Sequence, residues 1–192
     1  MEFPIEITDA LNVQKFIAIN DEMKVWKHTM ATVTTDDCEN LFFRVIDNDI
    51  IPFYNAGIDL KLKIKKHIKK DISLIRINTG GKLFGSPAYF HDDYPSEYYY
   101  TIVLFTELSW STQWGGELVV QDPHTKKYNY YPYIPNTAVF FPANWQHCGF
   151  SPNNFTSKMR TTLAFSYIET EYVDTMDDNC KRLARSYGLD VL

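Results

Sequence analysis

Cysteine is scarce and its spacing forms no motif: Cys38, Cys148 and Cys180 make no CxxC and, being three, cannot all pair. That excludes a disulfide framework and points to free thiols in a reducing compartment. No stretch approaches the roughly 18 consecutive apolar residues that span a bilayer. The opening Met1-Glu2-Phe3-Pro4 shows no basic segment leading into an apolar run, so a cytoplasmic protein without a membrane partner is expected. Positive charge is not in excess either. Nineteen Lys and Arg against 24 Asp and Glu leave a net charge of −5, which argues against nucleic acid as a partner. No repeat, low-complexity run or linker interrupts the 192 residues, and a single domain over 1–192 is expected.

What is abundant is aromatic: 13 Tyr and 13 Phe lift the aromatic share to 16%, a composition that favours strands. The first 71 residues nevertheless read as a helical support. Thr8 or Asp9 is placed to cap a helix through Leu11, Phe16 and Ile17 that continues toward Trp26. Asp36-Asp37 is placed to start a second, with Leu41, Phe42 and Val45 at helical spacing. Leu60, Ile64 and Ile68 recur every four residues in a third, Asn55 to Lys70, whose Lys61–Lys70 face reads as solvated surface. From Ile72 the period becomes two. Expected strands are 72–78, 88–91, 98–106, 117–121, 127–134, 137–141, 147–150 and 159–168, separated by Gly80-Gly81, Tyr94-Pro95-Ser96, Gly115-Gly116, Asp122-Pro123, Pro135-Asn136 and Ser151-Pro152. Short strands at this spacing fit a two-sheet jelly roll over 72–169, closed by a helix of about 174–187 within the segment 170–192.

Chemistry-bearing residues concentrate between Phe90 and Phe165. Strand side chains alternate faces, so His91 and Asp93 can address one ion while Asp92 should point away; Asp92 as the ligand is the lesser alternative. His147 opens a later strand, and a jelly roll brings distant strands side by side. Two imidazoles and one carboxylate form the set that leaves three adjacent positions open on a non-haem iron. Arg160 sits inside the apolar run Met159-Arg160-Thr161-Thr162-Leu163-Ala164-Phe165, where a charge is costly unless paired. A dicarboxylate would pair it through a bidentate fork, with Thr162 adding a hydroxyl on the same face. His28, His67 and His124 read as surface residues. Trp110, Trp114, Tyr99, Phe105 and Trp145 read either as core packing or as walls of a pocket.

His91-X-Asp93, Trp114-Gly115-Gly116-Glu117-Leu118, the Phe140-Phe141-Pro142 strand, His147 and Arg160-X-Thr162 together resemble the Fe(II)/2-oxoglutarate-dependent dioxygenases, in particular their prolyl-4-hydroxylase-like branch. The resemblance covers about 72–168. It implies a mainly β double-stranded β-helix, a jelly-roll variant, with N-terminal helices bracing one sheet. It implies Fe(II) at His91, Asp93 and His147, and 2-oxoglutarate at Arg160 and Thr162 with Tyr99 and Leu118 in its pocket. Oxygen would be the second cosubstrate and ascorbate an accessory reductant. The implied activity is hydroxylation of an unactivated C–H bond of a prolyl or other peptidyl residue, with release of succinate and CO2. The alternatives are a free amino acid or small metabolite as substrate, or a non-catalytic jelly-roll or cupin-like binding module. Arginine, where procollagen-type enzymes carry lysine, and a long interval between His147 and Arg160 are the departures from pattern. No oligomeric state is implied.

Overall fold

The computed structural model describes residues 3–26, 33–35, 38–40, 42–46 and 50–186. Among these residues, eleven strands and three α-helices follow one another as β1 (Ile5–Ile7), α1 (Val13–Trp26), β2 (Val33–Thr35), β3 (Cys38–Asn40), β4 (Phe42–Ile46), α2 (Ile51–Ile68), β5 (Ile72–Lys82), β6 (Tyr99–Phe105), β7 (Leu118–Gln121), β8 (Tyr128–Tyr131), β9 (Ala138–Pro142), β10 (His147–Gly149), β11 (Arg160–Glu169) and α3 (Asp178–Ser186). A six-stranded antiparallel sheet runs β1-β9-β6-β11-β5-β4 and faces a three-stranded one, β10-β7-β8; β2 and β3 pair separately.

The central strands of the large sheet are covered on both faces, which is why β6 reads Tyr-Tyr-Thr-Ile-Val-Leu-Phe with every residue buried. Alternation sorts its side chains: Ile102 and Leu104 join the cluster under the helices, while Val103 and Phe105 pack between the sheets with Leu118, Val120, Tyr133 and Phe141. α2 lies on the outer face through Phe53, Leu60 and Ile64. It approaches so closely at Gly57 that an added Cβ would stand 2.8 Å from a Leu74 methyl, and Gly57 O accepts from the Tyr167 hydroxyl at 2.7 Å.

Several expected elements differ. The expected cap of α1 moves to Asn12, whose Oδ1 accepts from Lys15 N at 2.9 Å, because Asp9 is turned into the left-handed region (φ 47°). Residues 42–46 are not helical. They form β4, an aromatic and β-branched run paired with residues 77–81 of β5, and tertiary pairing outweighs an apparent helical spacing. Asp36, Asp37 and Leu41, the rest of that expected helix, lie outside the described residues, as does His28. The N-terminal third thus adds two strands, β1 and β4, to the large sheet. Residues 88–91 make only an isolated bridge, His91 to His147. The closing helix starts later than expected, at Asp178 after a 3-10 turn over Thr170–Thr175. Its expected end at Tyr187 lies outside the described residues.

Candidate metal and anion site

Backbone pairing brings the two histidines together. His91 N donates to His147 O at 3.1 Å and His147 N to His91 O at 2.9 Å, while Asp93 N is held by Ala143 O at 2.9 Å. One donor atom from each of His91, Asp93 and His147 then lies within 4.8 Å of the other two. Asp93 Oδ1 is 3.9 Å from His91 Nε2 and Oδ2 is 3.7 Å from His147 Nε2. Asp92 is exposed and turned away, near Gln146 Nε2 at 3.4 Å.

The surroundings prepare these atoms for a cation. His147 Nδ1 lies 3.1 Å from Trp145 O, and His91 Nδ1 lies 3.2 Å from Tyr89 O. A carbonyl can only accept, so each Nδ1 carries the proton and each Nε2 presents its lone pair to the shared space. Burial pushes the His147 imidazole below its ordinary pKa, only partly opposed by Asp93, which favours the neutral form a metal requires. Thr101 Oγ1 donates to Asp93 Oδ2 at 2.5 Å and fixes the carboxylate.

Arg160 stands across the same cavity, which encloses about 130 Å3 and is also lined by Asn78, Gly80, Leu118, Gly149 and Thr162. Arg160 is 4% exposed. Nε donates to Gly116 O at 2.6 Å, and Cζ lies 5.5 Å from the Tyr133 ring centroid and 5.8 Å from that of Phe105. Among the described residues Nη2, which is buried, has no hydrogen-bond partner. Burial lowers the guanidinium's pKa, partly offset by Tyr133, Cys148 and Glu117, yet arginine remains charged in proteins. A buried cation with an orphaned donor is a site that an anion would complete.

Glycine makes that space. At Gly149 an added Cβ would sit 3.1 Å from Arg160 Nη2 and 3.2 Å from Nη1. Gly116 adopts φ 85° so that its carbonyl meets Arg160 Nε, a conformation L side chains rarely take. The long interval before Arg160 is absorbed by a side excursion. Pro152 bridges Gly115 and Asn153 N donates to Trp114 O at 2.8 Å, which returns the chain to begin β11.

His91, Asp93, His147, Arg160, Thr162 and Leu118 all line the cavity. Tyr99 does not. It stacks on Tyr94 at 4.4 Å and packs with Val173 and Met176 at the far end of the sheet, so the expected cofactor contact is withdrawn. The register explains it: Thr101 and Val103 are the β6 residues at the cavity, and Tyr99 lies one rung too far along the same face. Phe105 and Trp110 stand behind the cavity, Phe105 under the Arg160 guanidinium and Trp110 against Tyr133. Trp145 contributes a carbonyl rather than a wall. Thr101, Asn78, Tyr89 and Gly149 were not singled out from sequence. Only strand parity with Asp93's neighbours could have suggested Thr101. His67 and His124 are exposed, as expected.

No family model matches the sequence, and no curated protein matches it. Solved structures do. A prolyl-4-hydroxylase of Pseudomonas putida is similar at TM-score 0.62 and 14% identity over 86% of this chain and 92% of that one. A prolyl hydroxylase from Trichoplax adhaerens, in complex with a hypoxia-inducible-factor oxygen degradation domain peptide fragment, gives 0.68 and 12% over 88% and 84%. HygX from Streptomyces hygroscopicus, with nickel, 2-oxoglutarate and hygromycin B bound, gives 0.64 and 12% over 87% and 83%. The helix-braced pair of sheets, with its facing histidines and buried arginine, has the double-stranded β-helix fold of these 2-oxoglutarate–Fe(II) oxygenase structures.

Proposed function

We propose that this chain is an Fe(II)- and 2-oxoglutarate-dependent dioxygenase that hydroxylates an unactivated C–H bond of a prolyl or other peptidyl residue. The observation that carries the reading is the pairing, across one cavity, of a two-histidine, one-carboxylate set with a buried arginine whose Nη2 has no partner. His91, Asp93 and His147 are the proposed ligands, offering one face and leaving three positions open. Thr101 keeps Asp93 oriented. Arg160 would take the distal carboxylate of 2-oxoglutarate through charge-assisted hydrogen bonds, with Thr162 beside it. Gly80 leaves the Thr162 hydroxyl free of crowding, since a Cβ there would come within 3.0 Å of Oγ1. Leu118 supplies an apolar wall. When bound, the iron and cosubstrate supply the oxidation, in which 2-oxoglutarate becomes succinate and CO2 and one atom of O2 enters the C–H bond.

A peptide is favoured by the rim. Tyr89 lines the mouth and is 51% exposed; Phe90 meets Tyr128 edge to face at 5.5 Å; Tyr128 and Tyr130 both project from the edge strand β8. Exposed aromatic clusters of this kind mark interaction surfaces, and two of the similar structures are prolyl hydroxylases, one with a peptide bound. The test is an anaerobic titration of the Fe(II)-loaded protein with 2-oxoglutarate, following the visible charge-transfer band, with Arg160→Ala alongside. The expected result is a band in the wild type that needs far more cosubstrate in the variant. Bound iron without a band removes the 2-oxoglutarate reading and brings a cupin-like metal site or binding module forward.

A further inference from the structure

A second arginine lies on the same inner sheet face. Arg76 of β5 is in register with Ser166 of β11, which is in register with Thr101 of β6, the residue that fixes Asp93. Two strand spacings put the Arg76 backbone on the order of 10 Å from that of Thr101. Arg160 lies six residues from Ser166 along β11, roughly 20 Å at strand rise, so the two guanidinium groups belong to different ends of the sheet face.

Arg76 does not itself line the cavity, but it touches two residues that do. Its Nε donates to Asn78 Oδ1 at 2.8 Å and its Cζ lies 5.6 Å from the Phe43 ring centroid; Asn78 and Phe43 both line the cavity. The Tyr94 hydroxyl lies against both Arg76 and Ser166. Among the described residues no carboxylate stands at ion-pair distance from Arg76. A half-buried guanidinium, oriented by a neutral amide and an aromatic face and flanked by a hydroxyl, has its charge unmatched. Such a fork suits a carboxylate.

We propose that Arg76 is a specificity-determining residue that binds a carboxylate on the molecule this site hydroxylates, where that molecule extends past Asn78 and Phe43. The proposal rests on the hydroxylase reading, but its test does not need turnover. Two acid and neutral pairs are titrated calorimetrically into protein loaded with Mn(II) and saturated with 2-oxoglutarate: N-acetylproline against N-acetylprolinamide, and acetyl-Pro-Glu-amide against acetyl-Pro-Gln-amide. In at least one pair the acid should bind about tenfold more tightly or better, the effect of one charge-assisted contact. Arg76→Gln should erase that preference, and Arg76→Lys should retain part of it. The 2-oxoglutarate dissociation constant should change less than twofold in both variants, which a merely structural role in the sheet would not predict. Preference in the first pair places the carboxylate on the hydroxylated residue; preference in the second places it on a neighbouring acidic residue of a peptide. No acid preference in either pair, failure of every probe to bind, or a preference that survives Arg76→Gln overturns the assignment. Failure of 2-oxoglutarate itself to bind the wild type is read in a separate titration and sinks the hydroxylase reading instead.

Discussion

Replacing Gly149 with alanine tests the anion cradle without touching any charged residue. The backbone there is not in the left-handed region, so alanine adds no conformational strain. The new methyl would stand 3.1, 3.2 and 3.3 Å from Nη2, Nη1 and Cζ of Arg160, closer than ordinary carbon contacts. The guanidinium has little freedom to yield, because Nε is tied to Gly116 O and the group lies near the Phe105 and Tyr133 rings. Overpacking of this kind costs roughly 1–3 kcal/mol. If the methyl fills the space meant for a carboxylate, that cost appears in cosubstrate binding. At about 1.4 kcal/mol per decade, the 2-oxoglutarate dissociation constant should rise roughly five- to hundredfold. The assay is the same anaerobic titration, with metal content and urea unfolding measured in parallel. Metal binding should survive, since Gly149 lies two residues beyond His147 on β10 and contributes no ligand. A dissociation constant within twofold of wild type, in a folded and metal-loaded variant, would refute the claim that the carboxylate binds the Arg160 guanidinium beside Gly149.

Thr101→Val removes the donor to Asp93 Oδ2 at nearly constant volume, and should weaken metal binding about 10–100-fold in a chelator competition assay. Tyr133→Phe removes a hydroxyl that accepts from Thr106 N and Glu107 N at 3.0 Å each and donates to Thr161 O at 2.5 Å. Thr106 N and Thr161 O keep each other at 3.3 Å, but Glu107 N is left unmatched, and urea unfolding should show a loss of about 1–3 kcal/mol at unchanged m. Asp177 caps α3 by accepting from Cys180 N at 2.8 Å, and that bond holds its carboxyl below the ordinary value. A lowered folded pKa stabilises above the unfolded value near 3.9 and is lost as pH falls through the folded one. The stability difference between wild type and Asp177→Ala should therefore be full at neutral pH and shrink only below about pH 4, in thermal melts across pH; a difference independent of pH down to 2 would exclude the charged cap.

The order His91, Asp93, His147, Arg160 was legible in the chain because each residue type carries its chemistry wherever it folds. A carboxylate two positions after a histidine shares its strand face, and a cation inside an apolar strand is a costly arrangement that needs a reason. The short β-branched and aromatic runs from Ile72 likewise announced β5 through β11: β8 alternates because one face is exposed, while β6 is apolar throughout because both faces are covered. Residues 42–46 were misread because Phe42 and Val45 satisfy both helical and extended spacing; the open edge of β5 decides between them. Tyr99 was misplaced because the alternation that puts it on Thr101's face does not say how far along that face the cavity extends. Sequence alone therefore determined the chemical inventory and the class of fold, through local periodicity and residue type. Only the tertiary structure decided which atoms converge: Thr101 on Asp93, Gly149 against Arg160, and Arg76 on Asn78. Those meetings depend on strand register, which long-range pairing sets.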